Sequence, residues 1–291
     1  MKKITYLLLL LTVFSGAYAR TVEVEAAYTG ASHFDQAQVN ATMAPTLDTL
    51  VGLEVKVANE RAFKRPVYSV AVPVSLDLDI MRISVRPFYY VKNKSHEAAY
   101  QNASAYGINA QFRMTMRDDD VNEIYSHAFL GASLAQQEGT VFYTNRPDAN
   151  RYYSQAAYSL GFSNTFFNTF GLDIMGTMFQ YPDGISHVAG LRSVMNQQEL
   201  ASLQTLDIVH NLTKYTLGTQ LTRMWPDNRS SLYLGYRYGE FHTAAPEHSV
   251  IIGNSFMIDG KISVDLAYNH VRNVHNHNRR DIWFLQLGCA F

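Results

Sequence analysis

The sequence predicts an all-β fold, a closed antiparallel up-and-down barrel whose strands cross a membrane. Three observations carry the prediction. The chain opens on an export segment, it then alternates apolar and polar residues in long runs, and the connectors between those runs alternate between short and long.

Lys2 and Lys3 supply a positive start, Ile4 to Phe14 an apolar stretch, and Ala17-Tyr18-Ala19 a small-x-small cleavage site. This is the anatomy of a secretory signal peptide, so residues 1–19 are read as cleaved and the mature chain as starting at Arg20. The apolar stretch is too short to be kept as a spanning helix, and no cysteine follows the cleavage site to carry a lipid anchor. Cys289 is the single cysteine, which excludes a disulfide framework although the compartment permits one.

The formal charge of the whole chain is -1, and the signal segment removes two lysines, so the mature chain is slightly acidic. Nucleic acid is therefore not expected as a partner. Residues 20–291 contain no run of about 18 apolar residues, hence no spanning helix. The 19 Tyr and 16 Phe against 8 Pro and 2 Trp suit either a soluble periplasmic β-protein or a barrel. The pattern along the chain decides.

Ile262, Val264, Leu266 and Tyr268 alternate with Ser263, Asp265, Ala267 and Asn269. Val70, Val72, Val74, Leu76 and Leu78 do the same against Ser69, Ala71, Pro73, Ser75 and Asp77. In a third run Ile83, Val85, Pro87, Tyr89 and Val91 oppose Arg82, Ser84, Arg86, Phe88 and Tyr90. Two further runs start at Ala105 and at Leu232. Period two with one apolar face is the mark of a strand. The runs last about ten residues, beyond the five or six usual in soluble sheets and matched to a tilted strand crossing a bilayer.

Tight connectors are expected at Asp79-Ile80, Arg117 to Glu123, Phe166 to Phe170, Trp225 to Ser230 and Asp259-Gly260-Lys261. Longer polar ones fall at Ala58 to Pro66, Asn93 to Ala103, Glu138 to Arg151, Pro182 to Leu212, His242 to His248 and Asn273 to Arg280. A barrel with one periplasmic and one external end sorts its loops in this way, and a soluble sandwich has no reason to. Counting back from the C-terminus gives twelve strands within residues 48–291, with 20–47 an N-terminal segment holding a possible extra strand at Thr21 to Thr29. Twelve strands is the expected number. Fourteen follows if Gln36 to Ala44 is a weak partner for that segment. An even count puts both termini in the periplasm.

In the last segment Trp283, Leu285, Leu287, Cys289 and Phe291 share one face, and the chain ends on an aromatic. This resembles the C-terminal signature of Gram-negative outer-membrane proteins, which are porin-like barrels. The resemblance covers about ten residues. It implies a bacterial outer-membrane location and recognition of Trp283, Leu285, Leu287 and Phe291 by the barrel-assembly machinery; it implies no activity. Phe166, Phe167, Phe170 and Trp225, in the proposed periplasmic turns, read as girdle residues.

With the apolar face outward, the lumen receives Glu54, Lys56, Asp77, Arg82, Arg86, Arg113, Asp173, Arg237 and Asp265. Arg82, Arg86 and Arg113 fall on neighbouring strands and suggest one basic patch, with the acids elsewhere on the wall. The expectation is a channel passing small polar or charged solutes, selected by a field across the pore. The alternatives are a structural or adhesive surface barrel whose lumen is plugged by paired charges, and a barrel enzyme. Outer-membrane phospholipase A carries its nucleophilic serine two residues after its histidine, and no His-x-Ser occurs here: His248 is followed directly by Ser249. No paired acids with an Asp–His pair, as omptin-like proteases use, are recognisable either. No catalytic residue and no cofactor is therefore assigned. The 10 histidines include His270, His275 and His277 near Arg272, Arg279 and Arg280. His275-Asn276-His277 is a poor chelate on its own, so no metal is assigned and the loop is read as a basic one that meets lipopolysaccharide. Ser193 to Leu206 has the character of a short amphipathic helix in an external loop.

Overall fold

The computed structural model describes residues 21–32, 34–60, 66–93, 103–119, 124–143, 146–167, 169–183, 212–225, 229–242, 244–275 and 278–291. Residues 1–19, read from the sequence as a signal peptide, and the helical stretch expected at Ser193 to Leu206 lie outside the described residues. The elements are β1 (Val22–Ala31), β2 (Phe34–Met43), β3 (Thr49–Glu60), β4 (Val67–Ala71), β5 (Val74–Leu78), β6 (Met81–Asn93), β7 (Ala103–Asp119) and β8 (Ile124–Tyr143). There follow β9 (Arg146–Phe166), β10 (Phe170–Gln180), β11 (Thr213–Met224), β12 (Ser230–Phe241), β13 (Glu247–Ile258), β14 (Ile262–Asn273) and β15 (Arg279–Ala290).

Each strand pairs antiparallel with its neighbours in the chain, and β15 returns to pair with β1, so the sheet closes. The closing seam runs from Glu23 opposite Ala290 to Ala31 opposite Ile282. Phe291 finishes it: its amide donates to the Val22 carbonyl at 2.8 Å and its carbonyl accepts from the Val22 amide at 3.3 Å. Closure is what hydrocarbon demands, because it cannot satisfy a bare sheet edge.

β4 and β5 are two halves of one wall strand. Ala71 faces Glu54 and Phe88, Val74 faces Val51 and Val85, and the register is unbroken between them. Pro73 and Pro87 lie at the junction and lack amide hydrogens for the ladder. The remaining bonds hold the join, Gly52 N donating to Pro73 O at 2.7 Å and Val72 N to Pro87 O at 3.0 Å. Among the described residues, fifteen segments thus build fourteen wall strands.

The wall therefore has fourteen strands, not the twelve expected. The two additional ones are β1 and β2, both drawn from the N-terminal segment. β2 is weak by side-chain criteria because it alternates amides and hydroxyls (Gln36, Gln38, Asn40, Thr42) with small or short apolar residues (Ala37, Val39, Ala41). Its stability comes from the ladder, since every residue from Phe34 to Met43 is in register with β1 on one side and β3 on the other.

Strand pleat sorts the side chains into two faces. The outer face is apolar and open, with Leu266, Leu285 and Leu287 exposed and Trp283 63 % exposed. The inner face carries the charged residues of the sequence analysis, together with Gln38, Ser69, Gln137, Gln155, Thr177 and Gln220, all buried. Val22 and Phe291, bonded to one another, lie at one end. The turns there include Asp259-Gly260, where φ is 52° and 67°, the paired positive values of a tight hairpin. Phe167 (φ 53°) and Phe170 are exposed at the same end, and the Arg223 guanidinium sits 5.5 Å from the Phe170 ring centre. At the far end, the stretch Glu138 to Arg151, expected as a loop, is instead paired backbone as far as Tyr143 opposite Arg146.

Candidate lumen site

On β2 to β10 the inner wall has an apolar collar towards the far end, and the Asp77–Arg82–Arg113 row lies nearer the end where Val22 meets Phe291. The collar comprises Phe34, Val67, Phe88, Tyr90 and Phe179 with alanines between them, on consecutive strands from β2 to β10. A second inward cluster joins Tyr233, Ile251, Ala267 and Phe284 on β12 to β15. Two of these aromatics, and Phe129 as well, have a glycine as cross-strand partner. Phe88 faces Gly107, Phe129 faces Gly161 and Tyr233 faces Gly253. A β-carbon on Gly161 would stand 3.3 Å from Phe129 Cδ2, and one on Gly253 would run into the Tyr233 ring. The sequence had placed Phe88 and Tyr90 in phase with Arg82, Ser84 and Arg86. Aromatics on the polar phase of a strand are the signal in the sequence for this collar.

Among the charged groups, Asp77, Arg82 and Arg113 occupy one row, because Arg82 is the register partner of both others. The Arg82 guanidinium forks onto Asp77, its Nη2 donating to Oδ2 at 2.7 Å and its Nε to Oδ1. Arg113 lies across the Phe129 ring at 5.8 Å. Arg86 is four residues along β6 from Arg82, about 14 Å away by strand rise. It donates from Nε to Glu54 Oε2 at 3.1 Å and from Nη2 to Oε1. Lys56 Nζ is 3.1 Å from the same carboxylate. The suggested single basic patch is thus resolved into two groups, each with its own carboxylate, separated by the Ser75–Ser84 hydroxyl pair at 2.8 Å.

The other residues are dispersed. Asp173, on β10, faces Ser163 and Gln220. Asp265 accepts from Tyr233 Oη at 2.7 Å and from Ser255 Oγ at 3.0 Å. Arg237 faces Gly218 and Ser249 on the inner wall. Because Tyr233 reaches Asp265 across Gly253, Tyr233→Phe is expected to lower stability by about 1.5 kcal/mol, the scale of a hydrogen bond to a carboxylate. Urea midpoints of the vesicle-embedded protein check this, and an unchanged midpoint would show the bond to be idle.

Several solved structures match this fold. CymD, a monoaromatic hydrocarbon channel, superposes with a TM-score of 0.54 at 8% identity, over 96% of this chain and 90% of its own. The fold is that of an outer-membrane β-barrel. The Pseudomonas putida toluene transporter TodX matches with a TM-score of 0.50 at 10% identity, over 96% of this chain and 90% of its own. CdiB from Acinetobacter baumannii matches with a TM-score of 0.50 at 8% identity, over 93% of this chain and 60% of that one. No family model matches this barrel, and no curated protein matches its sequence.

Proposed function

We propose that this barrel is an outer-membrane channel for small polar or charged solutes, with both termini in the periplasm and β15 offered to the assembly machinery during biogenesis. One observation supports the reading above all: three inner carboxylates find their partners on the wall itself. Asp77–Arg82 joins β5 to β6, Glu54–Arg86 joins β3 to β6 across β4, and Tyr233–Asp265 joins β12 to β14 across β13. Buried charge needs a partner, and here these groups find one without a plug to supply it. A wall of fourteen strands also encloses a wider lumen than small side-chain-filled barrels of about eight.

The test is conductance in a planar bilayer. Folded protein is expected to give stepwise single-channel currents. Arg113→Glu is expected to move the reversal potential under a salt gradient towards cation preference, because it reverses the second positive charge of the Asp77 row. Protein shown to be folded that never yields steps would sink the proposal and favour a plugged structural barrel. The collar of Phe34, Val67, Phe88, Tyr90 and Phe179 favours a second reading, a route for small apolar or aromatic solutes. CymD and TodX are named for such cargo. Under this reading, cells carrying the protein take up toluene faster than cells without it, and Phe88→Asp abolishes the difference.

A further inference from the structure

Asp77, Arg82 and Arg113 set one acid against two arginines, so the row carries a net positive charge. Asp77 is forked by Arg82, which leaves the surplus on Arg113 of β7. The inner face of β10 carries the opposite surplus, because Asp173 is the one charged residue on that strand. Arg113 and Asp173 lie within electrostatic reach of one another. Among the described residues, however, no ion pair joins them.

The wall between the two charges is low. From Arg113 the row continues as Phe129 on β8, Gly161 on β9 and Met175 on β10. The Arg113 guanidinium sits 5.8 Å from the Phe129 ring centre, so it extends one strand towards β10. Phe129 in turn lies against Gly161, where a β-carbon would stand 3.3 Å from its Cδ2. The glycine contributes no side chain to the floor between the guanidinium and β10. Asp173 stands two residues from Met175, opposite Ser163, whose hydroxyl bonds its carboxylate. Arg113, Ser163 and Asp173 are all half-buried, in contrast to the buried Glu54 and Lys56. Both charges are therefore open to a solute in the lumen.

The spacing selects a short solute with a charge at each end. From β8, where the guanidinium lies, to β10 is two strand spacings, about 10 Å. A charge-assisted contact takes about 3 Å at each end and leaves about 4 Å between them. That is the separation of the ammonium and carboxylate groups in a free amino acid, and too little for a peptide. A wall of one sign would compensate half of such a molecule and repel the other half. Opposite charges that face a gap compensate both ends as they leave water.

We propose that Arg113 and Asp173 form a lumen site for free zwitterionic amino acids, the carboxylate held by Arg113 and the ammonium by Asp173. The site gives the channel a solute class, and so it rests on the channel reading above for its access to solute.

The test is binding of L-alanine to the full-length folded protein in detergent micelles, read by saturation-transfer NMR. R113Q and D173N are each expected to bind alanine about tenfold more weakly, the scale of one charge-assisted contact. L-lactate, which has a hydroxyl in place of the ammonium, and isopropylamine, which has a methyl in place of the carboxylate, should show the same loss on the wild type. The exchanged variant R113D/D173R keeps both signs and should recover part of the binding with the solute reversed. Three results overturn the proposal: no alanine binding by the wild type, lactate or isopropylamine binding as well as alanine, or R113Q and D173N binding alanine like the wild type. Should the neutral variants fail to fold, R113K and D173E, together with the three-solute comparison on the wild type, decide the matter. Planar-bilayer currents from the same preparation separate the two readings. Alanine binding without current sinks the channel and keeps the site, and current without alanine binding does the reverse.

Discussion

Replacing Glu54 by alanine is expected to destabilise the barrel by about 3–5 kcal/mol, the cost of leaving buried charges without their counter-ion. Glu54 is 8% exposed and serves two cations at once, Arg86 through a forked contact and Lys56 at 3.1 Å. Lys56 is itself only 4% exposed, so water cannot take over the role of the lost carboxylate. Glu54→Gln retains the shape and part of the hydrogen bonding, and a smaller loss is expected. Asp35 provides the control. It accepts from Asn59 at 2.8 Å in an exposed contact, and Asp35→Ala is expected to cost about 1 kcal/mol or less. Urea unfolding in lipid vesicles, followed by tryptophan fluorescence, measures all three. Equal midpoints for Glu54→Ala and the wild type would mean that the network contributes nothing to stability.

Gly107→Ala is expected to be the most damaging single-methyl change in the wall. A β-carbon there would stand 2.6 Å from Phe88 Cζ and 2.9 Å from the Ala135 α-carbon, and would press on the Leu134 carbonyl. A ring can turn, but the neighbouring strand's backbone cannot withdraw without opening the β7–β8 ladder. Overpacking of this kind costs about 1–3 kcal/mol when side chains can adjust, and a backbone obstacle puts Gly107→Ala at the top of that range or above. Folding yield on cold gels, where an intact barrel migrates faster than the unfolded chain, reads the effect. Gly171→Ala is the comparison, because its β-carbon would meet only the Thr222 side chain, at 3.5 Å. If both variants fold alike, the close packing at Gly107 is without consequence. Phe88→Ala in the Gly107→Ala background is expected to recover only part of the loss, since it removes the ring and leaves the backbone contact.

These two sites mark where sequence reading succeeded and where it stopped. Glu54 and Lys56 were assignable to the lumen from alternation alone, because a charge in phase with the polar face of a strand has one place to go. Their common bond to Arg86 was not legible: Arg86 is 32 residues from Glu54 in the chain, and contact depends on the register of three wall strands. Nothing local in the sequence singles out Gly107. Its importance comes from the facing Phe88, which register supplies.

β2 shows the same division. Its amides and alanines carry too little apolar contrast to announce a strand, and it forms because β1 and β3 offer it two complete ladders. The count of fourteen is therefore a property of the closed sheet.

By itself, the sequence determined the all-β class, the outward apolar face, the ends of most hairpins and the final strand that terminates at Phe291. All of these depend on local pattern, period two and turn chemistry, which each segment carries within itself. Only the tertiary structure decided the strand number, the partition of three arginines into two paired groups and the aromatic collar. Each of those depends on which residues stand opposite one another after closure, and register is a relation between segments that no single segment contains.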